Sequence, residues 1–447
     1  MDNALDALMG LRAPEMVYRP RNYWGWLEHI TPEEVAWQVD RMADAGLGGY
    51  VMHARGGLTI PYAGPQWMDS VRAMIAAGRR RGMTTIVDDE HGWPSGFGAG
   101  QVNGLGEAYQ LKYLLCEEIP ASRADLHDSA TLGLWLRNGF APVADPARLP
   151  PDTPLVRVYK KTDPYYVDNM DPMVVRAFIE ASYEDYNRAV GSGFGQGIYG
   201  VFSDEPQLAR YATPWSDTLP ALFEARYGYA LRERLAEVFY EHGECRALRY
   251  DLFRLMQDCF ADSYARQIYD WCSRHRLALM GHICLEEHLY GQIRCAAGAM
   301  PFYAYMHVPG IDWLCRVPVS NLCVLQMTSA AAQLGRRALS EMFGCAGWGI
   351  TFEEMKWIAQ WQAALGVDDQ LQHLGLYSLR GSRKREYPAS LFYQQPWFDS
   401  FRPYNDYFAR VGKLVARSVP EVDVLVLHPM ATAWIAYNGQ DAQAVDA

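Results

Sequence analysis

Short apolar runs alternate with longer amphipathic ones along most of this chain, and that alternation predicts parallel strands covered by helices. The runs Tyr23–Glu28, Gly49–His53, Thr84–Val87 and Ile198–Ser203 read as buried strands, as do Leu277–Gly281, Phe302–His307, Arg337–Ser340 and Leu371–Leu376. Strands buried on both faces need no polar alternation, which is why these read as continuous apolar segments. Eight of them favour closure into a (β/α)8 barrel over an open sheet.

The helices between them carry start and stop signals. Thr31-Pro32-Glu33-Glu34 is a capping box with proline at the first helical position; Val35, Val39 and Met42 share one face, and Gly46 ends the segment. Thr351-Phe352-Glu353-Glu354 repeats the arrangement, with Met355, Ile358 and Leu365 on one face and Gly366 as the stop. Asp171-Pro172 opens another helix that runs through Val175, Phe178 and Tyr186 to Gly191.

Two regions interrupt the rhythm. Residues 105–165 hold the strand-like runs Tyr113–Leu115, Leu132–Leu136 and Pro154–Tyr159 between proline-rich turns, which predicts a small β-rich insertion after the third strand. Residues 1–420 then form the barrel with its insertion. In the remainder, 421–447, Val422–Leu427 (VDVLVL) has the pattern of a buried strand, expected either to open a following domain or to pack on the barrel's edge.

Composition narrows the function. Half of the 447 residues are hydrophobic and 21% are charged, enough apolar surface for a large core. A net charge of −11 argues against a nucleic-acid partner, whose phosphates need a basic face. No stretch of about 20 apolar residues suggests a membrane span. The opening MDNALDALMGLRAPE lacks a basic region followed by an apolar one, so a cytoplasmic location is expected. The nine cysteines show no metal-binding spacing and fit reduced thiols. Nothing in the sequence indicates an oligomeric state.

The predicted carboxyl ends of the strands hold most of the unusual polar residues, which is where barrels place their chemistry. IYGVFS ends on Asp204-Glu205-Pro206, and ALS ends on Glu341. Two carboxylates on different strands suit glycoside hydrolysis. One protonates the leaving oxygen; the other attacks, or activates water. Glu205 is the expected acid, and Glu341 the base of an inverting enzyme or the nucleophile of a retaining one. Arg55, Asp89, Glu90, Asp204, His282, Asp312, His373, Tyr377 and Arg380 are candidates to bind sugar hydroxyls, and Trp93 to stack on a sugar face. Structural explanations stand beside these: Asp204-Glu205-Pro206 as a capping turn, Glu341 paired with Arg337, Arg55 locking a loop, and the histidines and Trp93 as core. A metal-dependent sugar isomerase or hydrolase using Asp89, Glu205, His282 and Asp312 is a rival reading. A non-catalytic carbohydrate-binding barrel is another.

Seven motifs in order add a resemblance: HARGGL from His53, DDEHGWPSG from Asp88, FSDEP from Phe202, GHICLEE from Gly281, PGID from Pro309, LSEMFGCAGW from Leu339 and QHLGLYSLRGSRK from Gln372. Together they resemble the α-L-rhamnosidase-like glycoside hydrolases of family 106 over roughly residues 20–415. The resemblance implies a (β/α)8 barrel acting on a carbohydrate substrate, with acid and partner on the fourth and seventh strands, here Glu205 and Glu341. It also implies calcium near the site, although no calcium-binding loop is legible, and further domains after the barrel.

Overall fold

A computed structural model describes residues 10–318, 320–439 and 443–446. Eight parallel strands close into a barrel: β1 (Arg21–Trp26), β2 (Gly49–Ala54), β3 (Thr84–His91), β7 (Gly200–Ser203), β9 (Ala278–Gly281), β10 (Val308–Trp313), β11 (Leu339–Met342) and β12 (Asp369–Leu376). Each neighbours the next, and β12 pairs back onto β1. The remaining strands, β4 (Gln110–Pro120), β5 (Thr131–Leu136), β6 (Pro154–Val167) and β8 (Thr213–Trp215), make an antiparallel sheet of order β5-β6-β4-β8. Three of its strands come from the insertion after β3; β8 joins from the loop after β7.

The core has two main layers. Tyr23, Val51, Ile86, Phe202, Met280, Leu339 and Leu371 fill the barrel interior. A larger layer, including Trp24, Trp26, Val39, Met74, Phe178 and Ile358, seals the strands under the helices. Thr31 and Thr351 cap the helices Pro32–Asp44 and Phe352–Ala364, their hydroxyls accepting from the amides of Glu34 (3.3 Å) and Glu354 (3.2 Å). At the amino-terminal end of the barrel, Arg21 and Asp369 form an ion pair with both side chains 1% exposed.

Two expectations change. Phe302–His307 is not the sixth strand: Met300–Tyr303 is a short helix, and the strand is Val308–Trp313. Phe302, Tyr303 and Met306 are buried as that helix and its following turn pack inward. The true strand is disguised by Pro309 and Gly310; a Cβ on Gly310 would lie 2.7 Å from the Gly281 carbonyl oxygen, so the close approach of β9 and β10 demands glycine. Strand β3 continues to His91, so Asp88, Asp89 and Glu90 belong to the strand itself. Val422–Leu427 is neither buried nor paired: Val422 is 78% and Leu425 90% exposed. After it, Met430–Ala436 packs against the helix Cys245–Phe260, and Trp434 Nε1 donates to the Ala297 carbonyl (2.8 Å). Among the described residues, no helix is long and apolar enough to cross a membrane.

Candidate active site

The carboxyl ends of the strands surround a cleft of about 350 Å³ lined by Arg55, Trp93, Asp204, Glu205, Asp312, Glu341 and His373 among others. These come from six strand ends, which is how a barrel brings distant sequence positions together. The backbone here is held in unusual conformations. Glu205 (φ +49°), Leu285 (+55°), Cys315 (+71°) and Tyr387 (+43°) all line the cleft in the left-handed region, which non-glycine residues adopt only where surroundings enforce it.

Glu205 and Glu341 sit in contrasting surroundings. The Glu205 side chain is 13% exposed, and its Oε2 is buried with no hydrogen-bond donor. Burial, then the charge of Asp204, pushes its carboxyl up to about 7. Glu341 is buried as well, but its Oε2 lies 2.9 Å from His282 Nε2. Burial raises the Glu341 carboxyl, while the hydrogen bond and charge of His282 favour its ionised form. The other His282 nitrogen, Nδ1, lies 3.4 Å from the Ile283 carbonyl oxygen, so both ring nitrogens face acceptors and the ring suits an imidazolium. Burial opposes that charge, yet Glu341, Asp312 and Asp204 together raise His282 well above its ordinary value. His282 thus favours the charged form of Glu341, whereas nothing donates to the buried Oε2 of Glu205.

His282 reaches this position through Gly281, whose φ is +138° and whose absent Cβ would collide with the Ser203 carbonyl of the adjoining strand β7. Beneath the cleft, the Tyr23 hydroxyl lies 2.8 Å from Asp204 Oδ2 and 2.9 Å from Asp88 Oδ2. One phenolic proton serves one carboxylate. Burial, with Asp89 and Asp204, raises Asp88 well above the usual range, and the Tyr23 hydroxyl is placed to donate to either carboxyl.

Arg55 is held by several partners, although its buried Nε has no hydrogen-bond partner. Its Nη2 donates to His373 Nε2 (3.3 Å), its Nη1 approaches Glu386 (3.4 Å), and its guanidinium stacks over Tyr23 and Trp93. Burial and Arg55 keep His373 well below its ordinary value, hence neutral. Glu286 ties β10 to the loop after β9: it accepts from the Tyr303 hydroxyl (2.7 Å) and from the Asp312 amide (3.1 Å). Asp312 pairs in register with Glu341, and its Oδ1 is buried without a partner.

Four expected binding residues lie elsewhere, because strand-end position does not fix the direction of a side chain. The Asp89 carboxylate is held by the Ser95 (2.5 Å) and Tyr183 (2.6 Å) hydroxyls on the helix side of β3. Glu90 accepts from the amides of Gly98 (2.7 Å) and Ala99 (2.6 Å) and so pins the following loop. The Tyr377 hydroxyl accepts from the Thr31 amide (3.2 Å), outside the barrel. Arg380 is exposed and away from the cleft lining. Arg337 pairs with Asp368 (3.2 Å), which leaves Glu341 free of it. Glu286, part of the GHICLEE motif, lines the cleft as well. Conversely, Tyr23, Arg210 and Tyr387 carry no signal in the sequence: Tyr23 lies mid-strand, and the other two sit in loops whose course no periodicity reveals.

Two groups of side chains bring ligand atoms within 4.8 Å of one another: His53, Asp88 and Asp204, and Asp204, His282 and Glu341. Neither fits calcium, which takes about six to eight oxygens. Each includes an imidazole, His282 has both nitrogens facing acceptors, and Asp88 and Asp204 already share the Tyr23 hydroxyl.

No protein-family model and no curated protein matches the sequence. Among solved structures, the chain is similar to a rhamnosidase from Novosphingobium sp. PP1Y, with a TM-score of 0.67 at 14% identity over 92% of this chain and 60% of that one. This chain therefore spans about 60% of the rhamnosidase's length. An endo-1,4-beta-mannanase from Rhizomucor miehei matches less well, with a TM-score of 0.43 at 9% identity over 87% of this chain and 95% of that one. At such identities the likeness is one of fold, a (β/α)8 barrel with inserted segments.

Proposed function

We propose that this barrel hydrolyses a glycosidic bond, with Glu205 as general acid and Glu341 as the carboxylate that activates water or attacks the anomeric carbon. One observation carries the proposal: two carboxyls border one cleft in contrasting environments, Glu205 with its buried Oε2 lacking a donor and raised to about 7, Glu341 with its Oε2 2.9 Å from His282 Nε2. Sugar cleavage asks for that split, a proton held ready at one carboxyl and negative charge at the other. Charge favoured at Glu341 by His282 also suits the positive charge that develops on the sugar ring in the transition state. Trp93, set edge-on to Tyr387 (5.1 Å between centroids), offers a face for the ring itself.

The sugar is proposed as an α-L-rhamnoside, a choice that rests on the sequence motifs and on the rhamnosidase likeness in fold. The metal-dependent alternative asked Asp89 to join Glu205, His282 and Asp312; Asp89 is turned to Ser95 and Tyr183 instead. A panel of aryl glycosides, α-L-rhamnoside included, tests the proposal with wild type, Glu205→Gln and Glu341→Gln. The expected result is cleavage of one glycoside by wild type and its loss in both folded variants. Turnover that survives both substitutions refutes the assignment.

A further inference from the structure

The cleft is strongly acidic, with Asp204, Glu205, Glu286, Glu287, Asp312 and Glu341 on its walls against two arginines. Arg55 is spent on His373, Glu386 and two aromatic rings. Arg210 is different. Its nearest acidic partner is Glu205 Oε2, at 3.8 Å and beyond hydrogen-bond distance, and among the described residues its guanidinium makes no hydrogen bond. Yet it is firmly placed, because the amides of Leu208 (2.8 Å) and Ala209 (3.0 Å) are anchored on the carbonyls of Cys295 and Arg294. The side chain is 36% exposed and lies beside the ring of Tyr211, itself 81% exposed.

We infer that Arg210 and Tyr211 form the leaving-group subsite, and that the group it accepts is a sugar carrying a carboxylate, a hexuronic acid. The inference rests on the hydrolase reading for its placement. Glu205 delivers its proton to the glycosidic oxygen, so the departing sugar lies on the side of Glu205, where Arg210 stands. Glu341 lies at the end of β11, three strands round the barrel from β7. At Arg210 an anionic sugar meets a guanidinium with its donors free, whose planar fork matches a carboxylate. The ring of Tyr211, outside the cleft lining but beside Arg210, extends the subsite onto the exposed surface. The glycosyl unit beside Glu341 must then be uncharged.

Ligand-observed NMR at pH 7 tests this with D-glucuronate and D-galacturonate against D-glucose and D-galactose, on wild type, Arg210→Gln and Arg210→Lys. At least one uronate should bind wild type at least about tenfold more tightly than its neutral counterpart, as a charge-assisted hydrogen-bonded pair gives. Arg210→Gln should abolish that preference without weakening the neutral sugar, and Arg210→Lys should restore part of it. Equal binding of uronate and neutral sugar by wild type overturns the inference, as does a preference that survives in Arg210→Gln. If Arg210 served only to adjust Glu205, the substitution would move the alkaline limb of hydrolysis and leave sugar preference untouched. Because binding is read without turnover, failure of the hydrolase reading shows up separately, as aryl glycosides left uncleaved.

Discussion

Glu205→Gln separates what the carboxyl does for chemistry from what it costs the fold. In the folded chain its ionisation moves from an ordinary 4.5 to about 7, led by burial. At about 1.4 kcal/mol per tenfold change in an ionisation constant, holding the charged form costs about 3 kcal/mol. The side chain is 13% exposed, so solvent screening removes little of that. Below pH 4.5 the carboxyl is protonated in both folded and unfolded chains and has no effect. Between 4.5 and 7 the folded chain binds the extra proton, so stability falls as pH rises through that window and levels off above it. Glutamine keeps the shape without the charge. Urea unfolding of the variant should therefore match wild type near pH 4.5 and exceed it by about 3 kcal/mol at pH 8.5. Other raised carboxyls, such as Glu286 at about 8, are present in both proteins and cancel in the difference. Activity should move the other way: loss of a general acid costs about 10²–10⁴-fold with a sugar leaving group, and less with a nitrophenolate that departs without a proton. Wild-type turnover should fall above about pH 7 as Glu205 loses its proton. A stability difference between the two proteins that does not change with pH would refute the argument about its environment. Full activity in the variant would refute its role.

Three further outcomes follow from the same geometry. Glu341→Gln should bring His282 down toward its ordinary ionisation, seen as a titration of the ring in nitrogen-15 NMR that wild type lacks below pH 8, since Glu341 supplies the 2.9 Å bond that favours the imidazolium. Asp369→Asn should lower stability by about 3–5 kcal/mol in urea, because it leaves Arg21 buried at the amino-terminal end of the barrel without its counter-charge, while KM for any cleaved glycoside stays unchanged. Gly281→Ala should lower both Tm and kcat, because a Cβ there meets the Ser203 carbonyl and forces apart the strands that aim His282; unchanged values would dismiss Gly281 as a positioning residue.

The amino-acid sequence by itself determined the barrel and the two carboxylates. Strands buried on both faces must read as apolar runs, helices between them must be amphipathic and capped, and charge at a strand's end has nowhere to go but the mouth. That logic found β1, β2, β7, β9, β11 and β12 and placed Glu205 and Glu341 at their ends. It failed at β10, because a strand that must approach its neighbour's backbone uses Pro309 and Gly310 where the pattern asks for bulk. Tertiary structure alone decided which polar groups face the cleft. Asp88 and Asp89 are neighbours in sequence, but successive side chains on a strand point to opposite faces, so one meets Tyr23 inside the barrel and the other meets Tyr183 outside it. Tertiary structure also set Glu205 apart from Glu341, since a carboxyl's proton affinity depends on the donors around it. Glu341 receives His282 from a strand 59 residues away, whereas the buried oxygen of Glu205 receives nothing.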